Sequence, residues 1–495
     1  MDFLGQHLSF ATMIFLLLAL GLALSFEFVN GFHDTANAVA TVIYTHTLKP
    51  IYAVVWSGCW NLIGVLFSTG GIAFAVIALL PVELVIHVGS AAGFAMVFAL
   101  LISAIIWNVG TWYFGLPASS SHTLIGAIMG VGLANSMMAA GHVFGEGVNW
   151  AKASEVGMSL LISPIIGFVC AALLLLLAKA LIKRPELYQA PEGNKPPPAW
   201  IRGLLMLTCT GVSYAHGSND GQKGMGLIML ILIGILPATY AVNLDTSQTS
   251  VQEISQSAMA VADQMGSHAP GIQTPTRAMA VDELSNFLKT TGVMTDQTFP
   301  SLHDECLEIY GMTDGKKSLS DLNTEERRTL RTDLYLVSES LNKLIKQHKL
   351  NAAQAKDAAA FKSKMEKVTK FIPIWVKVAV ALALGLGTMI GWKRIVVTVG
   401  EKIGKSHLTY AQGASAELVA MCTIMAADYY NLPVSTTHVL SSGVAGAMAA
   451  NHSGLQMDTL RNLLLAWVLT LPVSVLLGAG IFAFGLNVVI RLGLK

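Results

Sequence analysis

The sequence predicts an all-α integral membrane protein of about ten to twelve transmembrane helices, built as two repeats with discontinuous helices and carrying a helical aqueous insert. Three observations predict it. Of 495 residues, 53% are hydrophobic and only 12% charged, with mean hydropathy +0.58, whereas a soluble surface needs roughly a quarter charged residues. The charge is also gathered in one place: 32 of the 61 Asp, Glu, Lys and Arg side chains fall between Asp245 and Lys370. Finally, two polar motifs each occur twice inside apolar stretches. A formal net charge of +1 offers no basic face for nucleic acid, and the apolar content excludes a disordered chain.

Spans of about 20 apolar residues can cross a bilayer. Candidates run near 8–29, 51–80, 91–114, 118–138, 158–182, 203–216, 222–242, 372–391, 411–430, 433–450 and 460–490. The first lacks a basic leader and a small-residue cleavage site, so it reads as a retained span. Residues 1–182 form the first repeat, 183–202 a basic, proline-containing linker, 203–242 and 371–495 the second repeat, and 243–370 the insert. Leu334, Val337, Leu341, Leu344 and Ile345 recur at helical spacing, and Asn323 stands three residues before Glu326 in capping fashion, so the insert reads as a small helical bundle. Lys356, Lys362, Lys364, Lys367 and Lys370 precede the next span, and Lys183, Arg184, Lys195 and Arg202 surround the linker. The positive-inside rule places both segments in the cytoplasm. The five cysteines include no CxxC pair and suggest neither a disulfide framework nor a zinc site.

The duplication is regular. The run Asn30-Gly-Phe-His-Asp34 returns as His216-Gly-Ser-Asn-Asp220, and Leu116-Pro-Ala-Ser-Ser-Ser-His122 returns as Leu432-Pro-Val-Ser-Thr-Thr-His438. The offset from His122 to His438 is longer than that from Asp34 to Asp220, and the excess approximates the length of the insert. The chain is therefore a duplicated unit whose second copy is interrupted. Paired motifs that interrupt hydrophobic segments point to a transport site between repeats, commonly inverted in the membrane.

Gly31 and Phe32 end one apolar run and Ala36 opens another, which predicts a helix break with His33 or Asp34 near the new N-cap. Pro117 and Pro433 are expected to open helices with Ser119, Ser120, Ser121 and Ser435, Thr436, Thr437 in their first turns. Up to four helix N-termini would then lie within the membrane. Their partial positive charge, free NH groups and hydroxyls suit a tetrahedral oxyanion, phosphate or sulfate. Protonated phosphate can donate a hydrogen bond to Asp34 or Asp220 and sulfate cannot, which favours phosphate.

Glu27, Asp34, Asp220, Glu417 and Asp428 also stand in or beside apolar stretches, and an isolated acid at the bilayer centre costs about 2.5–3.5 kcal/mol. Carboxylates beside a dianion require a proton or metal ion to arrive with it. Two negative charges moving inward against 100 mV cost roughly 4.6 kcal/mol, whereas a neutral metal-phosphate complex with one proton gains about 2.3 kcal/mol. Cation-coupled symport is expected, with magnesium or another divalent metal carried near Asp34 and Asp220 and no resident cofactor. The halves differ where Asn37 in the first corresponds to Lys223 in the second. His33, Asp34 and Asn37 would centre a cation or proton site, while Lys223 brings its own charge to the other half. Glu27, Glu417 and Asp428 are further coupling candidates, and Asn219 accompanies Asp220 at the anion. Asp34 and Asp220 could instead be helix caps, but intramembrane acids are functional by default. His122 and His438 read as local packing groups.

At these residues the sequence resembles the inorganic phosphate transporter (Pit) family, most closely its bacterial low-affinity members. The motifs that carry the resemblance are GFHDTANAVATVIYT at 31–45, GLPASSSHTLIGA at 115–127, HGSNDGQKGMG at 216–226 and NLPVSTTHVL at 431–440. The resemblance implies inverted repeats and a shared phosphate and cation site at Asp34, Asn37, Asn219, Asp220 and the two hydroxyl turns. It also implies a homodimer in the lipid bilayer of the inner (plasma) membrane, and uptake of divalent metal-phosphate with protons. Sodium-coupled relatives resemble N-D-x-x-N-A in both halves; here His33 replaces the first Asn, and Gln222-Lys223-Gly224 replaces the second x-N-A. Proton coupling is therefore expected over sodium coupling, with His33 as carrier because imidazole titrates near neutral pH. Sodium-coupled phosphate symport and proton-coupled sulfate symport are the alternatives. An intramembrane enzyme is remote, since the chain has no G-x-S-x-G, H-E-x-x-H or Walker element.

Overall fold

A computed structural model describes residues 2–3, 6–80, 90–138, 145, 148–191, 193, 196–269, 271, 275–289 and 292–491. Lys195 of the linker lies outside them.

The first half contains α1 (Phe10–Asp34), α2 (Ala36–Tyr44), α3 (Pro50–Phe67), α4 (Gly71–Ile77), α5 (Ala91–Tyr113), α6 (Ser120–Met138) and α7 (Trp150–Leu181). Proline opens α3, where its missing NH costs nothing, and the Ser90 hydroxyl caps α5 by accepting from Gly93 N. The second half begins with α8 (Ala199–Ile235) and the short α9 (Pro237–Tyr240). After the insert it resumes with α15 (Ile374–Met389), α16 (Lys393–Val397), a π turn (Thr398–Lys402), α17 (Tyr410–Tyr429), α18 (Thr436–Ala450) and α19 (Met457–Arg491).

The halves pack reciprocally. Helix α3 lies on α8 as α1 lies on α15, and α6 lies on α19 as α18 lies on α7. Glycines at repeat-related positions permit this. A Cβ at Gly31 would meet Thr388 N at 2.9 Å, and one at its repeat equivalent Gly217 would meet Asn61 Cα at 2.8 Å. Gly130 and its equivalent Gly446 similarly sit against the backbones of Val475 and Phe168. Small residues that let helix backbones touch are the usual means of association where lipid removes the hydrophobic drive. Outside these seams, Leu161, Leu173, Leu464, Val468 and Leu476 are exposed on α7 and α19, as lipid contact requires.

Two expectations are corrected. The spans expected at 203–216 and 222–242 are one helix, the 37-residue α8, because the polar run at 216–223 contains no proline and leaves the backbone ladder intact. In the first half Thr35 keeps helical dihedrals (φ −51°, ψ −38°) between α1 and α2, so residues 10–44 run as one 35-residue span, and His33 and Asp34 end α1 and do not cap α2. The Thr35 hydroxyl donates back to Gly31 O at 2.8 Å, with Thr388 O at 2.9 Å. Of the up to four interior N-termini expected, those of α6 and α18 are present. Five helices among the described residues are long and apolar enough to cross a membrane, or six if the pair ending in α15, bent by 71°, counts as one span. Helices α6, α8, α17 and α18 cover the spans expected near 118–138, 203–242, 411–430 and 433–450 but carry hydroxyls, amides and acids that lower their hydropathy.

The insert forms α10 (Gln248–Gly266), α11 (Arg277–Leu288), α12 (Thr298–Thr313), α13 (Thr324–Lys346) and α14 (Ala352–Thr369). Leu334, Val337, Leu341 and Leu344 of α13 are buried in a separate core with Ile254, Leu302 and Phe361. Asn323 and Glu326 make the reciprocal capping box that starts α13. The neck is narrow: Asn243 N donates to Val368 O at 2.9 Å. Arg331 of α13 clasps both limbs, donating to Ala241 O (2.9 Å) and Thr369 O (2.8 Å).

Candidate functional site

The two hydroxyl turns start α6 and α18. Ser119 and Ser435 are the capping residues, their hydroxyls accepting from His122 N and His438 N at 3.2 Å each. Pro117 and Pro433 stand before these caps in the lead-in, and do not occupy the first helical turn as expected. Ser120, Ser121, Thr436 and Thr437, all buried, remain for the interior.

These turns meet at the end of α1. Asp34 accepts from Thr437 Oγ1 at 2.5 Å, Ser120 Oγ at 3.3 Å and Thr436 Oγ1 at 3.5 Å, so donors from both halves converge on one carboxylate. His33 Nδ1 lies 3.2 Å from Asp34 Oδ1, and its Nε2 lies 3.1 Å from Thr111 Oγ1 of α5. Across the interface, Lys223 Nζ of α8 binds Asp220 Oδ1 at 2.7 Å and donates to Ser121 Oγ at 2.5 Å. Asn37 Nδ2 of α2 donates to Thr437 Oγ1 at 3.1 Å. The correspondence between Asn37 and Lys223 thus has a geometric counterpart: each reaches from the acidic motif of its own half to the last hydroxyl of the opposite turn, Thr437 and Ser121 respectively.

The remaining candidates are more peripheral. Asn219 donates to Leu432 O at 3.4 Å, at the mouth of the second turn. Glu27 is fully buried with both carboxylate oxygens unpartnered. It packs beside Gly224, where any Cβ would overlap its carboxyl group. Glu417 accepts from Thr208 Oγ1 at 2.5 Å, and Asp428 from Ser218 and Gln222 at 2.6 Å each. Those two acids fasten α17 to α8 and make no contact with Asp34 or Asp220. His122 and His438 have ring centroids 4.7 Å apart, with His438 stacked on Trp467 at 4.2 Å. They border an apolar cavity of about 900 Å³ between α6, α7, α18 and α19.

His216 is the residue that sequence reasoning missed. Its Nε2 lies 3.6 Å from Asp34 Oδ2 and 3.4 Å from Asp220 Oδ2, linking the acids of the two halves. A signal was present: His216 stands four residues before Asp220, on the same helix face. Its first-half equivalent is Asn30, which broke the identity between the repeats. Asn61 of α3 completes the group by approaching His216 Nδ1 at 2.6 Å.

Chemically, the cluster combines two buried carboxylates, one buried ammonium, two imidazoles, four inward hydroxyls and two helix N-termini. Such a set offers hydrogen-bond donors and positive charge that suit an anion, and carboxylate oxygens that suit a cation.

Residues 30–478 match the phosphate transporter family. This chain belongs to that family. Among its relatives, the low-affinity inorganic phosphate transporter PitA of Escherichia coli (strain K12) is 42% identical, over 96% of this chain and 97% of that protein. PitB of the same strain is 40% identical over 97% and 98%. A probable low-affinity inorganic phosphate transporter of Bacillus subtilis (strain 168) is 30% identical over 94% and 96%. A solved structure entitled "The sodium-dependent phosphate transporter" matches with TM-score 0.50 and 17% identity, covering 97% of this chain and all of that one. At that identity the likeness concerns the fold alone. Membership of a transporter family, with apolar spanning helices, makes the chain a membrane transporter and not an enzyme.

Proposed function

We propose that this protein is a secondary active symporter that brings inorganic phosphate into the cell across the plasma membrane, as a neutral divalent metal-phosphate complex coupled to protons. The observation that carries this reading is the convergence of hydroxyls from both halves on Asp34, with Lys223 binding Asp220 and Ser121 beside it. Hydroxyls and helix N-termini supply the donors that phosphate oxygens accept. Asp34 and Asp220 would repel a bare dianion, and a divalent metal removes that repulsion while cancelling the electrical cost of inward movement. His33, in contact with Asp34 and Thr111, is the proposed proton carrier. Reciprocal packing of the halves supports inverted repeats that rock about a fixed site. The names of the relatives support phosphate over sulfate, as does the ability of protonated phosphate to donate to the site's acids.

The test is uptake of radiolabelled phosphate into proteoliposomes under an imposed pH gradient, without sodium, with and without magnesium. Uptake that requires the gradient and rises with magnesium is expected. A requirement for sodium would leave phosphate transport standing and overturn the proton and metal coupling.

A further inference from the structure

The arrangement around His216 goes further than a general need for counter-charge. Each carboxylate at the site has one tightly held oxygen and one held loosely or not at all. Asp220 Oδ1 is held by Lys223 at 2.7 Å, while Asp220 Oδ2 has no hydrogen-bond partner. Asp34 Oδ1 takes the short bond from Thr437, leaving Oδ2 with two long contacts of 3.3 and 3.5 Å. Both freer oxygens face the same imidazole nitrogen, His216 Nε2, which is itself buried without a hydrogen bond.

The tautomer of His216 follows from its neighbours. Thr388 Oγ1 donates to Leu384 O at 2.9 Å, so its oxygen can only accept from Asn61 Nδ2, 3.4 Å away. Ser57 Oγ, 3.4 Å from Asn61 Nδ2, is a second acceptor for the same amide. The amide of Asn61 is thereby oriented with its oxygen toward His216, and Nδ1 must carry the proton that meets it at 2.6 Å. A neutral His216 then presents a bare lone pair at Nε2. Metal-binding histidines are oriented in this way, by donating the distal NH to a fixed acceptor.

The distances favour an ion over a proton at this point. An imidazolium has one hydrogen on Nε2 and would draw one of the two carboxylates to about 2.7–2.9 Å. Ligands at about 2.0–2.1 Å around a tetrahedral metal are separated from one another by about 3.3–3.5 Å. His216 Nε2 stands 3.4 and 3.6 Å from the two carboxylate oxygens, and one ligand atom from each of Asp34, His216 and Asp220 lies within 4.8 Å of the others.

We propose that Asp34, His216 and Asp220 are three ligands of the transported divalent metal, that a phosphate oxygen takes the fourth position, and that His216 sets the preference for manganese, cobalt or zinc over magnesium. This rests on the metal-phosphate reading above. Nitrogen donors suit those borderline metals, whereas magnesium selects oxygen ligands and retains water. The phosphate then binds to the metal as well as to the hydroxyl turns, which is how one site accepts the pair as a unit. The equivalent of His216 in the first half is Asn30, so the metal belongs to the second half's side of the interface.

Two measurements on the full-length protein test this. In detergent with inorganic phosphate, cobalt(II) is expected to give the strong visible absorption of a tetrahedral nitrogen- and oxygen-ligated ion at one equivalent per chain. Its absence from the parent protein would overturn the site. In proteoliposomes, phosphate uptake is compared with manganese or magnesium at equal free concentration. His216→Gln is expected to lower both rates, and to reduce the manganese-to-magnesium ratio about ten- to hundredfold. Asn61→Leu, which keeps the ligand and removes its orienting acceptor, should weaken cobalt binding about 10- to 100-fold, and serves if His216→Gln does not fold. Uptake independent of every divalent metal would defeat the metal-phosphate reading itself. Metal-dependent uptake with an unaltered ratio in His216→Gln, or unaltered cobalt binding in Asn61→Leu, would defeat only the role of His216.

Discussion

Asp220 and Lys223 are three residues apart on α8, both buried, with 2.7 Å between Oδ1 and Nζ. Removing one member of a buried ion pair leaves an uncompensated charge and typically costs about 3–5 kcal/mol. Lys223→Met keeps the stem and deletes the ammonium, so it is expected to destabilise the protein by about that amount and abolish most uptake. Adding Asp220→Asn should restore much of the stability without restoring transport, because a neutral pair removes the orphan charge and also the anchor at the site. Thermal unfolding in detergent and proteoliposome uptake read the two effects. A Lys223→Met protein that is as stable as its parent and transports with unchanged ion dependence would refute the built-in counter-charge. The place of Lys223 was legible in the sequence, because the offset between the acidic motifs aligns it with Asn37 and the structure gives both the same reach across the interface. His216 was not legible by that comparison, since its role depends on Asn61 and Asp34, both in the other half of the chain.

At the level of elements, α13 was legible to its first residue. Its amphipathic period and the box of Asn323 and Glu326 are local signals that the final packing reinforces. The continuity of α8 was hidden, because a polar run inside an apolar stretch reads the same whether the helix breaks or simply turns that face toward a partner. Helix α12 shows a further property that only packing creates. Glu305 of α12 is buried next to Asp333 of α13, which is held by Arg277 at 2.6 Å. Burial, and then the adjacent Asp333 carboxylate, push the Glu305 carboxyl up to about 9. Between the ordinary carboxylate range and that value the native insert holds a proton that the opened chain releases. Stability is therefore highest at the acid end of this window and falls as pH rises, by up to roughly 1.4 kcal/mol per pH unit. Hydrogen exchange of the full-length protein, corrected for intrinsic rates, should show α12 less protected at pH 8 than at pH 6. Glu305→Gln cannot ionise and should flatten the difference. Equal protection of parent α12 at both pH values would refute the buried-proton account.

On the scale of the whole molecule, repeat-related glycines seat each half on the other, and none of those contacts passes through the insert. The insert interrupts the second half between α9 and α15, yet its two limbs leave the membrane side by side, joined at Asn243 and Val368 and clasped by Arg331. Its core is a separate cluster of buried side chains. Loops whose ends are close tolerate large changes in length at modest entropic cost, about 0.6 kcal/mol per doubling, so the converse excision should be tolerated too. Replacing residues 248–366 by a short Gly/Ser turn preserves the neck and both membrane halves. It removes the guanidinium bonds to Ala238, Ala241 and Thr369 carbonyls, groups that water at the membrane surface can satisfy in its place. The shortened chain is expected to remain monodisperse in detergent and to take up phosphate within about threefold of the parent rate, because exchanging the three neck bonds for water leaves little net cost. Aggregation, or loss of uptake from a chain that still folds, would mean that α8 and α15 need the bundle to hold their register, and the duplicated unit would no longer account for transport by itself.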